Sequence, residues 1–390
     1  MSPDPKAVPA QHSALRHPLA PVFVSVLLAG IGFGASLPVL SLLLEREHVP
    51  GVLIGANIAM TALAALTITP FLPRLLQTFG TARLLMACLL TIGITLVVMR
   101  AWVNVWFWFP IRFVFGAALA GMFATSEYWV NAVATPERRG RLIGIYAMIF
   151  SLGWAIGPLI LRFTGYETWR PIFIVVGFLA AALVPLGFAM RSAASPPAAD
   201  RAPPLLDIIR RAPTATLAAF VYGGVEFGVF GLLPNYALRA GLTPEVGTGM
   251  LVSIALGNVV LQYPLGTLAD RIGPRTVLLV CAAAGVLGAL TLPLLIGTPP
   301  LLYAALFLWG GAVVGLYTTG LILLGQTFTG AALAAGNAAV VMLYSLGGLL
   351  SPPVSGLAMD LWPPHGLIAI LGVLCTGYLV VALTRLDGPA

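Results

Sequence analysis

Three ionisable side chains stand inside long apolar stretches of this 390-residue chain: Arg112, Glu127 and Glu226. A charge in such surroundings is costly, so it faces a partner, a wet cavity or a ligand. Glu226 lies near the middle of its stretch, where a carboxyl stays neutral unless it is partnered. A carboxyl that opens first to one side and then to the other can carry a proton or hold a cationic substrate. Its plainer role would be a protonated side chain bonded to a neighbouring helix. Arg112 is seven residues beyond Val105, where its stretch begins, too deep for easy exposure; it faces the interior or a wet cavity, or it snorkels to the interface. Glu127 follows Arg112 by fifteen residues. On a helix that spacing puts the two within about 60° of each other and about 22 Å apart along the axis, so one cavity can receive both while a direct ion pair is excluded. Glu127 can also pair with Arg138 or Arg141. Asn57, Asn131, Tyr222, Asn258, Tyr317 and Tyr344 fall within other apolar runs and can line the same cavity.

These groups need a scaffold, and composition dictates its kind. Of the residues, 59% are hydrophobic and 8% charged, and the mean hydropathy is +0.99. A soluble domain carries about 25% charged residues. Both a water-soluble enzyme and intrinsic disorder are excluded. A spanning helix takes about 20 apolar residues, and twelve runs fit: 19–43, 51–73, 84–101, 105–133, 142–163, 171–190, 214–238, 247–268, 276–296, 301–324, 332–358 and 366–384. The expected fold is all-α, a polytopic membrane protein of twelve transmembrane helices in two six-helix bundles. Residues 19–190 and 214–384 form the bundles, 191–213 a cytoplasmic linker, and 1–18 and 385–390 cytoplasmic tails. Fourteen of the twenty basic residues then lie on the side of the termini, which places both termini inside. The +7 net charge follows from that topology and calls for no nucleic-acid partner. Within the linker, Leu205–Arg211 reads as a short helix on the membrane surface.

Cys88, Cys281 and Cys375 are far apart in apolar runs, and His12, His17, His48 and His365 fall in the tail or in loops. This leaves no metal-ligand spacing, no disulfide framework and no haem or redox cofactor to expect.

The two halves repeat at an offset of 194 residues. Phe150-Ser-Leu-Gly-Trp-Ala-Ile-Gly-Pro158 aligns with Tyr344-Ser-Leu-Gly-Gly-Leu-Leu-Ser-Pro352, Gly116 and Gly121 with Gly310 and Gly315, and Gly32-Phe33-Gly34 with Glu226-Phe227-Gly228. Parallel six-span repeats across a linker are the architecture of a rocking transporter with its site between the halves.

Three motifs fall at matching places. Gly266-Thr-Leu-Ala-Asp270-Arg271-Ile-Gly273-Pro-Arg275 follows span 8; its glycines permit a tight turn, and its acid and arginines can pair with each other and with helix ends, as a latch or merely as a topology-fixing loop. Gly144, Gly153 and Gly157-Pro158 mark span 5 with small residues that let helices approach closely. Arg112 precedes Gly116 by four residues in span 4.

The first pattern resembles the G-x-x-x-D-R-x-G-x-R loop motif of the major facilitator superfamily, the second its antiporter motif and the third its span-4 arginine motif. The first-half loop departs from the pattern, with Gln77 at the acid and Pro73 at the first glycine; Leu161 and Arg162 replace the antiporter motif's final Gly-Gly. Ser126-Glu127-Tyr-Trp129-Val-Asn131, followed by Arg138-Arg139-Gly140-Arg141 and Tyr146, is similar to the poorly characterised YcaD-like bacterial branch. The resemblance implies a proton-coupled secondary transporter of the bacterial inner membrane that works by alternating access as a monomer, exports a small-molecule substrate against protons, and uses Arg112 for proton transfer or substrate charge. An importer or facilitated-diffusion carrier is the alternative, and a non-transporting receptor or lipid-handling scaffold a further one. With no Walker A sequence and no nucleophile–base pair in the spans, neither ATP-driven transport nor an enzyme is expected.

Overall fold

The computed structural model describes residues 19–133, 139–189 and 205–384. Among them every regular element is helical: α1 Leu19–Arg46, α2 Gly51–Ile68, α3 Leu72–Phe79, α4 Thr81–Ala101, α5 Val105–Val133, α6 Arg139–Thr164, α7 Arg170–Ala189, α8 Leu205–Arg211, α9 Pro213–Arg239, α10 Pro244–Ile272, α11 Pro274–Thr291, α12 Pro299–Thr327, α13 Gly330–Leu361 and α14 Gly366–Thr384. Eleven apolar segments of 19–29 residues are long enough to cross a bilayer. α6, with the shorter apolar segment Met148–Thr164, supplies the twelfth span. α1 to α7 form one six-span bundle, with α2 and α3 sharing a span, and α9 to α14 form the other. Backbone polar groups in lipid must be satisfied within the segment, so apolar runs of this length have no alternative to helix. α8 is the helix expected in the linker; Ile208 packs with Ala215 of α9, Phe328, and Ala339 of α13.

The repeat seen in the sequence recurs as packing. α1 and α6 cross where Gly30 faces Gly153 and Gly34 faces Gly157; a β-carbon on Gly153 would run into the backbone of Leu27, Gly30 and Ile31. One repeat later, Gly347 of α13 meets the backbone of Phe220 and Gly224 in α9. Gly121 abuts Cys88 as Gly315 abuts Cys281, which assigns two of the three buried thiols to helix packing. Close backbone approach is how helices associate where lipid supplies no hydrophobic drive. Gly80, between α3 and α4, and Gly273, between α10 and α11, turn with φ of 75° and 88°. Only glycine enters that region without strain, so the two loops share a turn although their charged residues differ.

The halves meet at one end. Gly51 and Gly55 of α2 lie against Gly356 and Pro352 of α13, Ile58 against Gly231 of α9, and Arg162 of α6 over Gly249 of α10. All belong to the end bearing the α1–α2, α9–α10 and α13–α14 connections, called here the distal end. The opposite, terminal end carries the start of α1, the end of α7, α8 and the end of α14.

Candidate functional site

Glu226 lies on α9, the wall of the second bundle that faces the first, and is 8% exposed. Tyr222, one turn earlier on the same helix, donates to Glu226 Oε1 at 2.9 Å. Tyr344 of α13 donates to Oε2 at 2.5 Å. Two hydroxyl donors offset the desolvation that an unpartnered carboxyl would suffer at this depth. Tyr317 of α12 closes the group, its ring centroid 5.5 Å from Tyr222 and 5.9 Å from Tyr344. The sequence placed these four residues on three separate spans; the bundle brings them together. A void of about 10 Å³ beside Glu226 is bordered by Asn258, Phe230 and Trp309, room for about one water. Asn258 has its amide nitrogen, when oriented to donate, committed to Ile254 O at 3.2 Å and Gly310 O at 2.8 Å. It therefore ties α10 to α12 as well as lining the void.

The first bundle contributes an aromatic surface. Phe33, Phe123, Phe150 and Trp154 pack edge to face, with centroids 4.5–6.4 Å apart. Trp154 crosses to Phe230 of α9 at 5.0 Å. Phe230 is one turn distal of Glu226, so this pair roofs the carboxylate on the distal side. Glu127 of α5 is exposed and within electrostatic reach of Tyr146 and Tyr317, which directs it toward the space between the bundles. Ser126 and Tyr146 share a hydrogen bond of 3.0 Å. Arg138 lies outside the described residues, as do the side chains of Asn131 and Arg141 and the surroundings of Gly144.

Arg112 corrects one expectation. It does not share an open cavity with Glu127: it is fully buried, its guanidinium folded 5.5 Å over Phe115 of its own helix. Its three nitrogens find no acceptor among the described residues. Asn57 is likewise buried, with its amide nitrogen unpaired. Gly116 packs on Thr61, so helical register sets Asn57 and Arg112 at one level between α2 and α5, apart from the lining of the Glu226 void. Trp108 is also fully buried, its indole N–H donating to Trp102 O at 2.8 Å.

A second polar centre closes the distal end, and sequence reading missed it. Arg239 of α9 donates to Glu45 of α1 through Nε at 2.7 Å and Nη2 at 3.2 Å, and to Asp360 of α13 through Nη1 at 2.8 Å. Asp360 accepts from the backbone N–H of Gly51 and Val52 at 2.8 and 2.9 Å, a negative cap on the N-terminus of α2. Asn235 donates to Glu45 at 2.9 Å and to Ser41 O at 3.2 Å. One guanidinium joins three helices from both bundles, and the Asp360 carboxylate adds α2. A signal was present: Glu45 and Arg239 are 194 residues apart, as are Ser41 and Asn235.

At the terminal end the motif residues stand otherwise. Asp270, Arg271 and Arg275 are exposed, and among the described residues none forms an ion pair; Gly266 has open space around it. Among the described residues the ion pairs between the bundles are those of the distal end.

This arrangement agrees with what the chain resembles. The family model described as Major Facilitator Superfamily matches residues 22–257 and 244–390. An uncharacterized MFS-type transporter, YfkF of Bacillus subtilis (strain 168), is 29% identical over 87% of this chain and 88% of its own. Another, from Yersinia pestis (strain Pestoides F), is 26% identical over 96% and 97%. In fold, a mutant of the nucleoside transporter NupG matches with a TM-score of 0.76 at 14% identity, over 94% and 98% of the two chains. A bacterial homolog of the human lysosomal transporter Spinster, in an inward-facing and unoccupied conformation, matches at 0.66 and 16%, over 94% of each. Repeated bundles, their glycine crossings and a family match along nearly the whole chain converge: the protein belongs to the Major Facilitator Superfamily, whose members are membrane transporters and not enzymes.

Proposed function

We propose that this protein is a secondary active transporter of the bacterial inner membrane that exports a small organic molecule in exchange for protons by alternating access. One observation carries the reading: a carboxyl on the wall between the bundles, held by tyrosines of two helices, below a distal closure that joins both bundles. With the basic-rich terminal end in the cytoplasm, the closed distal end faces outward and the conformation is inward-facing. Rocking would break the distal contacts, close the Asp270 loop and expose Glu226 to the outside, where it exchanges its proton. The antiporter motif supports export through its role here, the glycine crossing of α1 on α6. Within the superfamily we assign the chain to the YcaD-like branch; the Ser126–Tyr146 hydrogen bond couples the two parts of that pattern. A single chain contains both bundles and is read as functional alone.

The test uses inverted vesicles with an acidified lumen. Substrates from a panel of metabolites and drugs should accumulate inside while the luminal pH rises, and Glu226→Gln should abolish the dependence on the gradient. Proton movement in the same direction as substrate would make the protein a symporter. Gradient-independent flux in the unsubstituted protein would make it a facilitated-diffusion carrier.

A further inference from the structure

The charge that a transporter's cleft presents decides which substrates enter it. Around Glu226 the second bundle offers the rings of Tyr222, Tyr317 and Tyr344, with centroids 5.5–6.0 Å apart. On the distal side, Trp154 of the first bundle, packed on Phe150, meets Phe230 at 5.0 Å. Tyr317 and Tyr344 are partly exposed, so rings beside Glu226 can be reached although the carboxyl itself is buried. Aromatic faces attract cations through their quadrupoles, and a carboxylate attracts them through its charge.

Among the described residues, positive charge is withheld from this space. Arg112 is fully buried over Phe115, and Arg239 is committed to Glu45 and Asp360 at the distal end. The hydroxyls of Tyr222 and Tyr344 are given to Glu226. An arriving anion would therefore meet a carboxylate whose nearest donors are taken, whereas a cation would meet an acceptor with three tyrosine rings beside it.

We propose that the Glu226–Tyr222–Tyr317–Tyr344 cluster binds an organic cation with an apolar body, its positive centre drawn to the Glu226 carboxylate and its body against the partly exposed rings of Tyr317 and Tyr344, outside the void that holds about one water. A protonated amine, a quaternary ammonium or a phosphonium has the required chemistry. This deepens the transport reading and rests on it for biological meaning, but its test needs no gradient.

Tetraphenylphosphonium and tetraphenylborate have nearly the same shape and opposite charge. Equilibrium binding of each to the purified full-length protein in neutral detergent separates charge selection from greasy partition. Saturable binding of the phosphonium alone is expected, weakened at least about tenfold by Glu226→Gln and about threefold or more by Tyr317→Leu. Tyr317 makes no hydrogen bond to Glu226, so Tyr317→Leu remains informative if Glu226→Gln does not fold. Saturable binding of the borate, binding of neither ion, or phosphonium affinity unchanged in both variants would overturn the proposal. Phosphonium binding as expected, with no flux in vesicles, would instead sink the transport reading and leave the cation site standing.

Discussion

Glu45 and Arg239 are the same position of two repeats, 194 residues apart, and they meet in a two-point ion pair of 2.7 and 3.2 Å. The pseudo-symmetry that relates α1 to α9 brings equivalent positions face to face where those helices touch. Two identical charges there would repel; duplication followed by divergence to opposite signs turns the crossing into a lock. Asp360 adds a second carboxylate and links the lock to the N-terminus of α2. The pair is under one-fifth exposed on each side, between a surface pair, worth about 0–1 kcal/mol, and a fully buried one, whose disruption costs about 3–5 kcal/mol.

Arg239→Gln should therefore destabilise the distal-closed state by about 1–3 kcal/mol, a shift of about 5- to 150-fold in population. Spin-label distances between α2 and α13 at the distal end would report it as a longer component. Exchanging the two charges, Glu45→Arg with Arg239→Glu, should restore closure only partly, because the exchange sets two carboxylates together at Asp360. Full restoration would show that Asp360 contributes nothing.

The carboxylate cluster predicts an order of effects. Tyr344→Phe removes a donor that spans two helices, whereas Tyr222→Phe removes one within α9. Loss of a donor to a buried charged group costs about 1–3 kcal/mol. Tyr344→Phe should lower stability against thermal unfolding more than Tyr222→Phe, and its effect should shrink in a Glu226→Gln background. Additive effects across that double-mutant cycle would mean the hydroxyl and the carboxyl act independently.

The glycine crossings predict where bulk is tolerated. Gly153→Val forces a side chain into the backbone of α1 and should cost about 1–3 kcal/mol or more, read as lost monodisperse protein in detergent. Gly266→Ala meets nothing within 4 Å and should leave folding unchanged. Equal tolerance at both positions would contradict the packing described for α1 and α6.

Asp270→Asn probes the terminal end. With Asp270 exposed and outside any described ion pair in this conformation, the substitution should leave the distal-closed state's stability within about 0.5 kcal/mol. The step that closes the terminal end should slow, visible as slower counterflow with substrate selectivity intact. Altered selectivity would place Asp270 in the binding pathway and remove it from the latch.

Length, apolarity and charge asymmetry were sufficient to determine twelve spans, because lipid leaves a backbone no choice but helix over such runs. The duplication was also legible, since the shared offset in Gly116 and Gly153 records close helix crossings. Glu226 stood out through its cost alone. Which residues join it was decided by the tertiary structure: Tyr317 and Tyr344 are about 90 and 120 residues away in the chain, and no local pattern distinguishes a tyrosine that lines a pocket from one that packs. Arg112 shows the converse, for depth in a helix marks a group as buried but does not say which way its flexible side chain folds. The distal lock was hidden for a third reason. Glu45, Arg239 and Asp360 sit at helix ends, where charges are ordinary, and become one site only when two bundles close on each other.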